Sequence, residues 1–560
     1  MPGVKIIATV GPSCDTAERI ESMAVAGMTA IRVNTAHVEK GYISRISGIL
    51  AGANKKLGTR LSLIVDLKGP ELRTDVFPGG SLAVSKGTSY LVGRDKESDI
   101  PVNMPDALAN VAEGDPIIMG DGAVRLAVTG IVSKGVRVNA VNSGVLRSRS
   151  RINVPGKLLD LGSVTERDIS YIKEGCKSHV GFYALSFVQS RQDVIKLSGI
   201  LQSNGSDAEI ISKIETQKGL ENLHSIAPVS DWIMVARGDL GVEVPLHEVA
   251  IEQKSIIHES HRYGVPAIVA TQMLESMTEN PSPTRAEVAD VTNAILDNTD
   301  ALMLSEETAI GKYPLDAVRY LREISDFVES GSGEFPEPVS FMGNRVAYSI
   351  ARASKVISRE IGSHTILAFT KSGSTARMIS AVRPGARIVA AVTDSDLACR
   401  LSLLRGVEPV VVPEEFSKGK ALQEAVEYLQ KIGTLALGER VVVTSGSPYF
   451  LFGGTTDVRV ITSGRFIGRG YASGKSIRGR ITSDPHGKGE ILLATGREEL
   501  DLMKKFKAVL FESRVSAGVR DTLAGAGITV VGGTRLATQP EDGSEVFIDA
   551  ETGVILASSP

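Results

Sequence analysis

The chain has few aromatic residues, few cysteines and almost no excess charge. With one tryptophan and 5% aromatic side chains among 560 residues, aliphatic packing must build the interior. A formal net charge of −3 gives no electrostatic case for binding nucleic acid. Cys14, Cys176 and Cys399 have neither paired nor metal-ligand spacing. This argues against a disulfide framework, fits a reducing compartment and leads us to expect a cytoplasmic protein. No apolar run approaches membrane-spanning length, and Met1-Pro2-Gly3-Val4-Lys5 enters the first expected strand directly, so no signal peptide is expected. Glycine is abundant at 57 residues, which suits turns between strands and helices, and the length implies several domains.

Apolar runs that read as buried parallel strands occur at 5–8, 30–33, 61–65, 182–185, 209–212, 232–235, 267–270 and 301–304. Six of the seven intervals hold a helix-length segment. In one, Ser282-Pro283-Thr284 with Glu287 precedes Val288, Val291 and Ile295, the pattern of a capped amphipathic helix. Eight strand–helix units predict an α/β fold, a (β/α)8 barrel with its active site at the C-terminal strand ends. Polar residues gather at those ends. Arg32 and Asn34 close the second run, Asp66 the third, Ser186 the fourth, and Lys213 and Glu215 the fifth. Arg237 and Asp239 close the sixth, Thr271 and Gln272 the seventh, Ser305 and Glu307 the eighth. A core alone does not require charge concentrated at one end.

The most informative residues are Lys213-Ile214-Glu215 and the run Trp232–Asp239. Lys213 and Glu215 are two apart, so on a strand both point to one face; Arg237 and Asp239 repeat the spacing. Two carboxylates on neighbouring strand ends, with a lysine and an arginine beside them, make a site for a hard divalent cation such as Mg2+ or Mn2+. The substrate should then be an anion. The competing reading is a pair of buried salt bridges.

At these residues the sequence resembles pyruvate kinase. The matching stretches are KIIATVGPS (5–13), AGMTAIRVNTAH (26–37), DLKGPELRT (66–74), SKIET (212–216) and IMVARGDLGVEVP (233–245). ATQMLESM (270–277), PTRAEVADVTNAILD (283–297) and MLSEETAIGKYP (303–314) follow, and the likeness spans residues 1–462 in order. The resemblance implies transfer of a phosphoryl group from phosphoenolpyruvate to ADP, giving pyruvate and ATP as the last step of glycolysis, with Mg2+ and usually K+. It assigns Lys213 to the phosphoryl group in flight, Glu215 and Asp239 to the divalent metal, Arg32 to the substrate phosphate and Arg73 to the nucleotide. Gly238, Asp239 and Thr271 should hold the substrate carboxylate, with Ser186 also lining the substrate site. Thr271, with Ser305, is the candidate on the proton path; each hydroxyl could instead bond a barrel carbonyl. Asn34 and His37 are further nucleotide-side candidates. The family is usually a homotetramer.

Several positions depart from the family pattern. The second strand reads RVNTAHV, with Ala36 where a serine is usual, and DLKGPE carries Leu67 in place of threonine. Of the family's K+ ligands, Asn34, Asp66 and the Leu67 carbonyl remain, whereas the serine hydroxyl does not. Glu71 is retained where members needing no potassium tend to carry lysine. The resulting expectation is that K+ binds at an altered site. Glu306 replaces glycine, Lys218 an acidic residue, and Ser150-Arg151 the usual Lys-Gly before Asn153, so Arg151 is expected to supply charge facing the nucleotide.

Residues 75–155 exceed an ordinary loop of about two to six residues, and alternating segments at 90–92, 117–119, 124–128 and 135–138 predict an inserted all-β domain. An insert at a barrel mouth can close over substrate and exclude water. Asp121-Gly122 matches the family's lid. The stretch 329–338 reads as a linker, followed by doubly wound α/β segments over 340–462. There, the strand Thr365–Phe369 runs into Thr370-Lys371-Ser372-Gly373-Ser374-Thr375 and a helix, which is either an anion cradle or an ordinary capped start. The family binds an allosteric effector's phosphate on this loop, so Thr370, Ser372, Gly373, Ser374 and Thr375 are the candidates for a sugar phosphate or a nucleotide monophosphate. Residues 463–560 form an extra α/β domain with strands expected near 490–494, 508–511, 528–531, 545–548 and 554–556. Val530–Gly553 resembles the swivelling phosphohistidine domain of phosphoenolpyruvate-using enzymes, yet Val515-Ser516-Ala517-Gly518 stands where the histidine motif belongs and His486 lies outside it. A structural role is expected there, not a phosphoryl relay.

The expected division is thus 1–74 and 155–335 for the barrel, 75–154 for the lid, 340–462 for the effector domain and 463–560 for the tail. Another Mg2+/keto-acid barrel enzyme, of aldolase or phosphoenolpyruvate mutase type, would share the two carboxylates but need neither lid nor Lys213. A non-catalytic regulatory relative is the other alternative, and the intact Lys213, Glu215, Asp239, Arg32 and Thr271 argue against it.

Overall fold

The computed structural model describes residues 3–94, 98–120, 122–157, 159, 162–331, 333, 335–337, 340–414, 422–446 and 455–558. The chain divides into two compact units. One comprises Met1–Ser349, Ser372–Arg383 and Asp394–Pro409; the other comprises Ile350–Lys371, Pro384–Thr393 and Val410–Pro560.

The first unit contains a closed barrel of eight parallel strands. They are β1 (Lys5–Thr9), β2 (Ala30–Asn34), β3 (Ser62–Leu67), β4 (Phe182–Leu185), β5 (Glu209–Ile214), β6 (Trp232–Ala236), β7 (Ala267–Ala270) and β8 (Ala301–Leu304). Each strand pairs with its sequence neighbours, and β1 closes on β8 with Lys5 opposite Ala301. Buried aliphatic side chains on both faces account for their unbroken apolar character. Trp232, the only tryptophan, is fully buried and meets Phe182 edge-on at 6.1 Å. The predicted capped helix is Arg285–Leu296; Thr284 and Glu287 form a reciprocal capping box. The register sets Asn34 opposite Asp66 and Asp66 opposite Ala184, which brings the polar strand ends to one rim.

The insert folds as expected into β structure, a two-stranded and a six-stranded sheet around Val92, Ile117, Met119 and Val138. The sequence reading missed Ser81–Val84 and Gly144–Arg147, which pair with each other as the two-stranded sheet, and the two-residue strands Ile100–Pro101 and Ile152–Asn153. Asp121 lies outside the described residues. The expected linker begins too early at Glu329. The helix Pro314–Gly331 continues through it, and Glu329 accepts from the Val4 amide at 3.0 Å and from Arg405 at 2.8 Å.

In the second unit, Arg387–Val392, Thr365–Phe369 and Arg440–Gly446 pair in parallel, and Thr455–Thr462 adds an antiparallel edge. The tail is a closed seven-stranded barrel of mixed pairing with the helices Leu500–Met503 and Ala517–Gly525. Its first two strands, Arg465–Ser473 and Ile477–Thr482, escaped the sequence reading because glycine, serine and arginine interrupt their apolar pattern. Ser516 caps the helix Ala517–Gly525 by accepting from the Val519 amide, and His486 is exposed.

Candidate active site

Lys213 is the hub of the barrel mouth. Its ammonium lies 3.2 Å from Asp66 Oδ1, 2.8 Å from Ser186 Oγ and 2.9 Å from Glu215 Oε1. Burial opposes the charge, but Asp66 and Glu215 outweigh it and push the lysine up to about 12. Asp66 is held from the other side by Arg32, whose Nε donates to Oδ2 at 2.8 Å while Nη1 donates to Thr9 Oγ1 at 3.0 Å. Burial alone would raise Asp66; Lys213 and Arg32 reverse this and keep its carboxyl below the usual range. Ser186 accepts from Lys213 and donates to the Leu67 carbonyl at 2.8 Å.

Glu215 is almost fully buried. Its Oε2 accepts from the Phe187 amide at 2.8 Å, and Oε1 meets the Lys213 ammonium at 2.9 Å. Burial is the main cause that raises this carboxyl to about 7; the charge of Asp239 adds to it and Lys213 opposes it. A buried carboxylate with a second acid near enough to raise it suits a hard divalent cation, so the residues fit the metal that the sequence implied.

Arg237 does not share that site. The expectation that Arg237 and Asp239 repeat a strand-end pair is incorrect, because β6 stops at Ala236 and Arg237–Glu243 is helical. On a helix, positions two apart diverge instead of sharing a face. Arg237 turns away to Asp290 at 2.6 Å and donates to the Thr271 carbonyl at 2.7 Å. That bond helps hold Thr271 at φ +68°, an unusual backbone for a β-branched residue, with Gln272 beside it at +54°. Thr271 Oγ1 accepts from the Gly238 amide at 2.9 Å, so the Gly238 N–H expected to meet substrate is engaged here. The hydroxyl proton of Thr271 remains available to donate. Ser305 precedes the short helix Glu306–Ala309 without a side-chain capping bond; Glu307 accepts from the Ser305 and Leu274 amides, which makes it a loop anchor.

The lid edge adds a second cluster. Glu71 is bonded by Lys68 at 3.0 Å, Arg73 at 2.8 Å and Arg151 at 3.0 Å. Burial opposes, but Arg151 leads the cations that hold Glu71 below the usual carboxylate range. Arg151 also pairs with Asp239 through Nη1 and lies over the Phe187 ring, 5.4 Å from its centre. Its expected nucleotide-facing position is thus a bridge between two acids. The neighbouring cleft is lined by Glu71, Arg151, Asn153, Phe187, Thr216 and Glu243. Arg73 is part of the Glu71 cluster and also donates to the Arg149 carbonyl at 2.8 Å. His37 is exposed on the loop after β2.

The oxygens expected to hold K+ are all engaged by the protein. Asn34 Oδ1 accepts from the Ala36 amide at 3.1 Å, the Leu67 carbonyl accepts from Ser186, and both Asp66 oxygens face cations. Thr35, overlooked in the sequence, is fully buried; it donates to the Asp66 carbonyl at 2.8 Å and accepts from the Lys68 amide at 3.0 Å. Phe187 was missed as well. Its φ of +56° aims its amide at Glu215, and a phenylalanine in a sequence carries no sign of such a backbone.

On the effector loop, Gly373 adopts φ +85° and precedes the helix Ser374–Ala381, with Ser372 and Ser374 hydroxyls 3.1 Å apart. Thr370 and Thr375 are buried, which distinguishes them from the exposed Ser372 and Ser374. Among the described residues, no helix is long and apolar enough to cross a membrane.

Two family models match the chain: the pyruvate kinase barrel domain over residues 1–318 and the pyruvate kinase alpha/beta domain over residues 348–462. A pyruvate kinase from Thermoplasma acidophilum is 45% identical over 557 residues, covering 99% of both chains. One from Sporosarcina psychrophila is 36% identical over 583 aligned positions, again at 99% of each. The crystal structure of a pyruvate kinase from Cryptosporidium parvum superposes with a TM-score of 0.75 at 29% identity, covering 82% of this chain and 96% of that one. These relatives and the two matched domains establish that the chain belongs to the pyruvate kinase family of phosphotransferases.

Proposed function

We propose that this chain moves the phosphoryl group of phosphoenolpyruvate to ADP, giving pyruvate and ATP, at the mouth of the barrel. The reading rests on one observation: Lys213 stands between Asp66 and Glu215, and Asp239 lies near enough to Glu215 for its charge to raise that carboxyl. Glu215 and Asp239 would hold Mg2+ or Mn2+, which when bound neutralises charge on the substrate oxygens. Lys213 is charged throughout the physiological range and is fixed by three partners, so it need not reorganise as charge moves onto the transferring group. Arg32 presents a guanidinium for the substrate phosphate, anchored through Asp66 and Thr9. The Thr271 hydroxyl donates towards the substrate carboxylate or lies on the path by which the enolate carbon gains its proton. Arg73 faces the nucleotide side and Arg151, held between Glu71 and Asp239, borders it; Asn34 ends β2 and His37 lies on the loop after it, both further nucleotide-side candidates.

The lid, residues 75–154, closes over the barrel parts 1–74 and 155–335 and excludes water from the reaction. Residues 340–462 carry the effector loop, and 463–560 serve assembly without relaying phosphate. The protein is cytoplasmic and assembles as a homotetramer. Pyruvate formation from phosphoenolpyruvate, measured with and without ADP and Mg2+, tests the reading. ATP formation that requires both supports it. Pyruvate released without ADP, or carbon–carbon cleavage of a keto acid, would favour another barrel enzyme. For the effector loop, sugar phosphates and AMP should lower the phosphoenolpyruvate concentration at half saturation; no shift with any of them would remove the regulatory role.

A further inference from the structure

We propose that Glu243 is a positioning residue that sets the separation of Glu215 and Asp239, by clamping the helix that bears Asp239 to the returning lid strand and to the turn after Glu215. The proposal rests on the reading that these two acids share a divalent cation. Asp239 and Glu243 are four apart in the helix Arg237–Glu243 and so share one of its faces. Arg151 and Asn153 are two apart where the lid chain returns to the barrel, and share a face of that extended segment. The two faces meet in register. Asp239 pairs with Arg151, and Glu243 Oε1 accepts from Asn153 Nδ2 at 2.6 Å in a buried contact.

The two contacts differ in what metal binding asks of them. Asp239 must turn an oxygen to the ion, in competition with Arg151, whereas Glu243 carries no such second demand. Among the described residues no three acids, imidazoles or thiols gather closely enough to hold one ion, which sets Glu243 apart from the ligands. Burial raises the Glu243 carboxyl above its usual range, while the Asn153 amide and the Gln217 backbone N–H oppose that by bonding it. Gln217 opens the short helix Gln217–Glu221, two residues past Glu215. One carboxylate thus joins the backbone just beyond the first metal ligand to the helix that carries the second. The space beside Gly156, three residues past Asn153, is taken by the Gln217 side chain, so the lid's return packs against the same turn. Removing a group that orients metal ligands from behind typically costs about 10–100-fold in metal affinity or activity.

The test measures Mn2+ binding to the full chain by electron paramagnetic resonance, with coupled ATP formation followed over the same Mn2+ series. Glu243→Ala should weaken Mn2+ binding at least about tenfold, and Asn153→Ala about threefold or more. The double variant should bind no more weakly than Glu243→Ala alone, because both substitutions remove one contact. Glu243→Gln keeps an acceptor for Asn153 and should recover part of the loss. At saturating Mn2+, kcat should return to within about threefold of wild type, since Glu243 touches no reacting atom. Thermal melts identify a variant that fails to fold; if Glu243→Ala does, Glu243→Gln and Asn153→Ala decide. Unchanged Mn2+ affinity in folded Glu243→Ala, losses that add in the double variant, or a kcat deficit that saturating Mn2+ leaves in place would each overturn the proposal. Abolished binding in Glu243→Gln with full affinity in Asn153→Ala would make Glu243 a ligand, and would overturn it too. Unchanged tight binding in both Glu215→Gln and Asp239→Asn would instead remove the reading on which it rests.

Discussion

Replacing Lys213 with Met removes one ammonium that holds two buried acids. Its folded-state value of about 12, against an ordinary lysine value of 10.5, corresponds to ~2 kcal/mol at neutral pH. Because the folded value is raised, that contribution is complete below the ordinary lysine value and fades as pH climbs through the folded one. Breaking a buried pair usually costs ~3–5 kcal/mol, because a charge is left without a partner. Here the loss should stay near the lower figure. Glu215, already raised to about 7, can take up a proton, and Asp66 keeps Arg32. The variant should melt a few °C below wild type at pH 8, and the gap should narrow as pH falls through Glu215's range. Its effect on turnover should be much larger, roughly 10²–10³ in kcat, as for other preorganised groups that stabilise charge in the transition state. Coupled ATP formation at saturating Mg2+ and substrates measures it, alongside melts at several pH values. A folded variant keeping more than about a tenth of wild-type kcat would refute the role given to Lys213.

Thr271→Ala should lower kcat by about 10²-fold while Thr271→Ser retains most of it, since the hydroxyl and not the methyl meets Gly238 and, in the proposed role, would meet the substrate; equal rates for both variants would show the hydroxyl is dispensable. Asp300 accepts from the Ala267 amide and lies beside Arg383 and His261, so Asp300→Asn should cost ~3–5 kcal/mol in a denaturant titration, and a loss under ~1 kcal/mol would contradict this. The Asp300 carboxyl is held well below its usual range, against burial, by Arg383 and His261. Its share of stability is therefore present above the ordinary carboxylate pKa and lost as pH falls through the depressed one. Lid closure should contract the small-angle scattering profile when Mg2+, phosphoenolpyruvate and ADP are added together, and identical profiles would count against it.

The barrel was legible because each strand is a short apolar run buried on both faces, and four residues at the strand ends (Arg32, Asp66, Lys213 and Glu215) are charged where an aliphatic core needs no charge. Where polar residues do serve structure, sequence alone misled. Arg237 and Glu307 are as charged as Lys213 and Glu215, yet one anchors Thr271 and the other ties loop amides. The spacing of Arg237 and Asp239 suggested a strand; the chain turns helical at Arg237 itself, and nothing in RGD marks that point. Positive φ at Phe187 and Thr271 was invisible for a related reason, since tertiary bonds impose that backbone on residues that do not favour it. The tail's first two strands lacked an apolar signature because a small barrel accepts glycine where strands bend closely past one another, as Gly468 and Gly470 do beside Arg535 and Val531.

The account depends on Glu215 and Asp239 holding one divalent cation within reach of Lys213. An electron paramagnetic resonance titration of the full chain with Mn2+ tests this most directly. Wild type should bind one tight Mn2+ per active site, lost in Glu215→Gln and in Asp239→Asn yet kept in Lys213→Met. Unchanged tight binding in both carboxylate variants would contradict it.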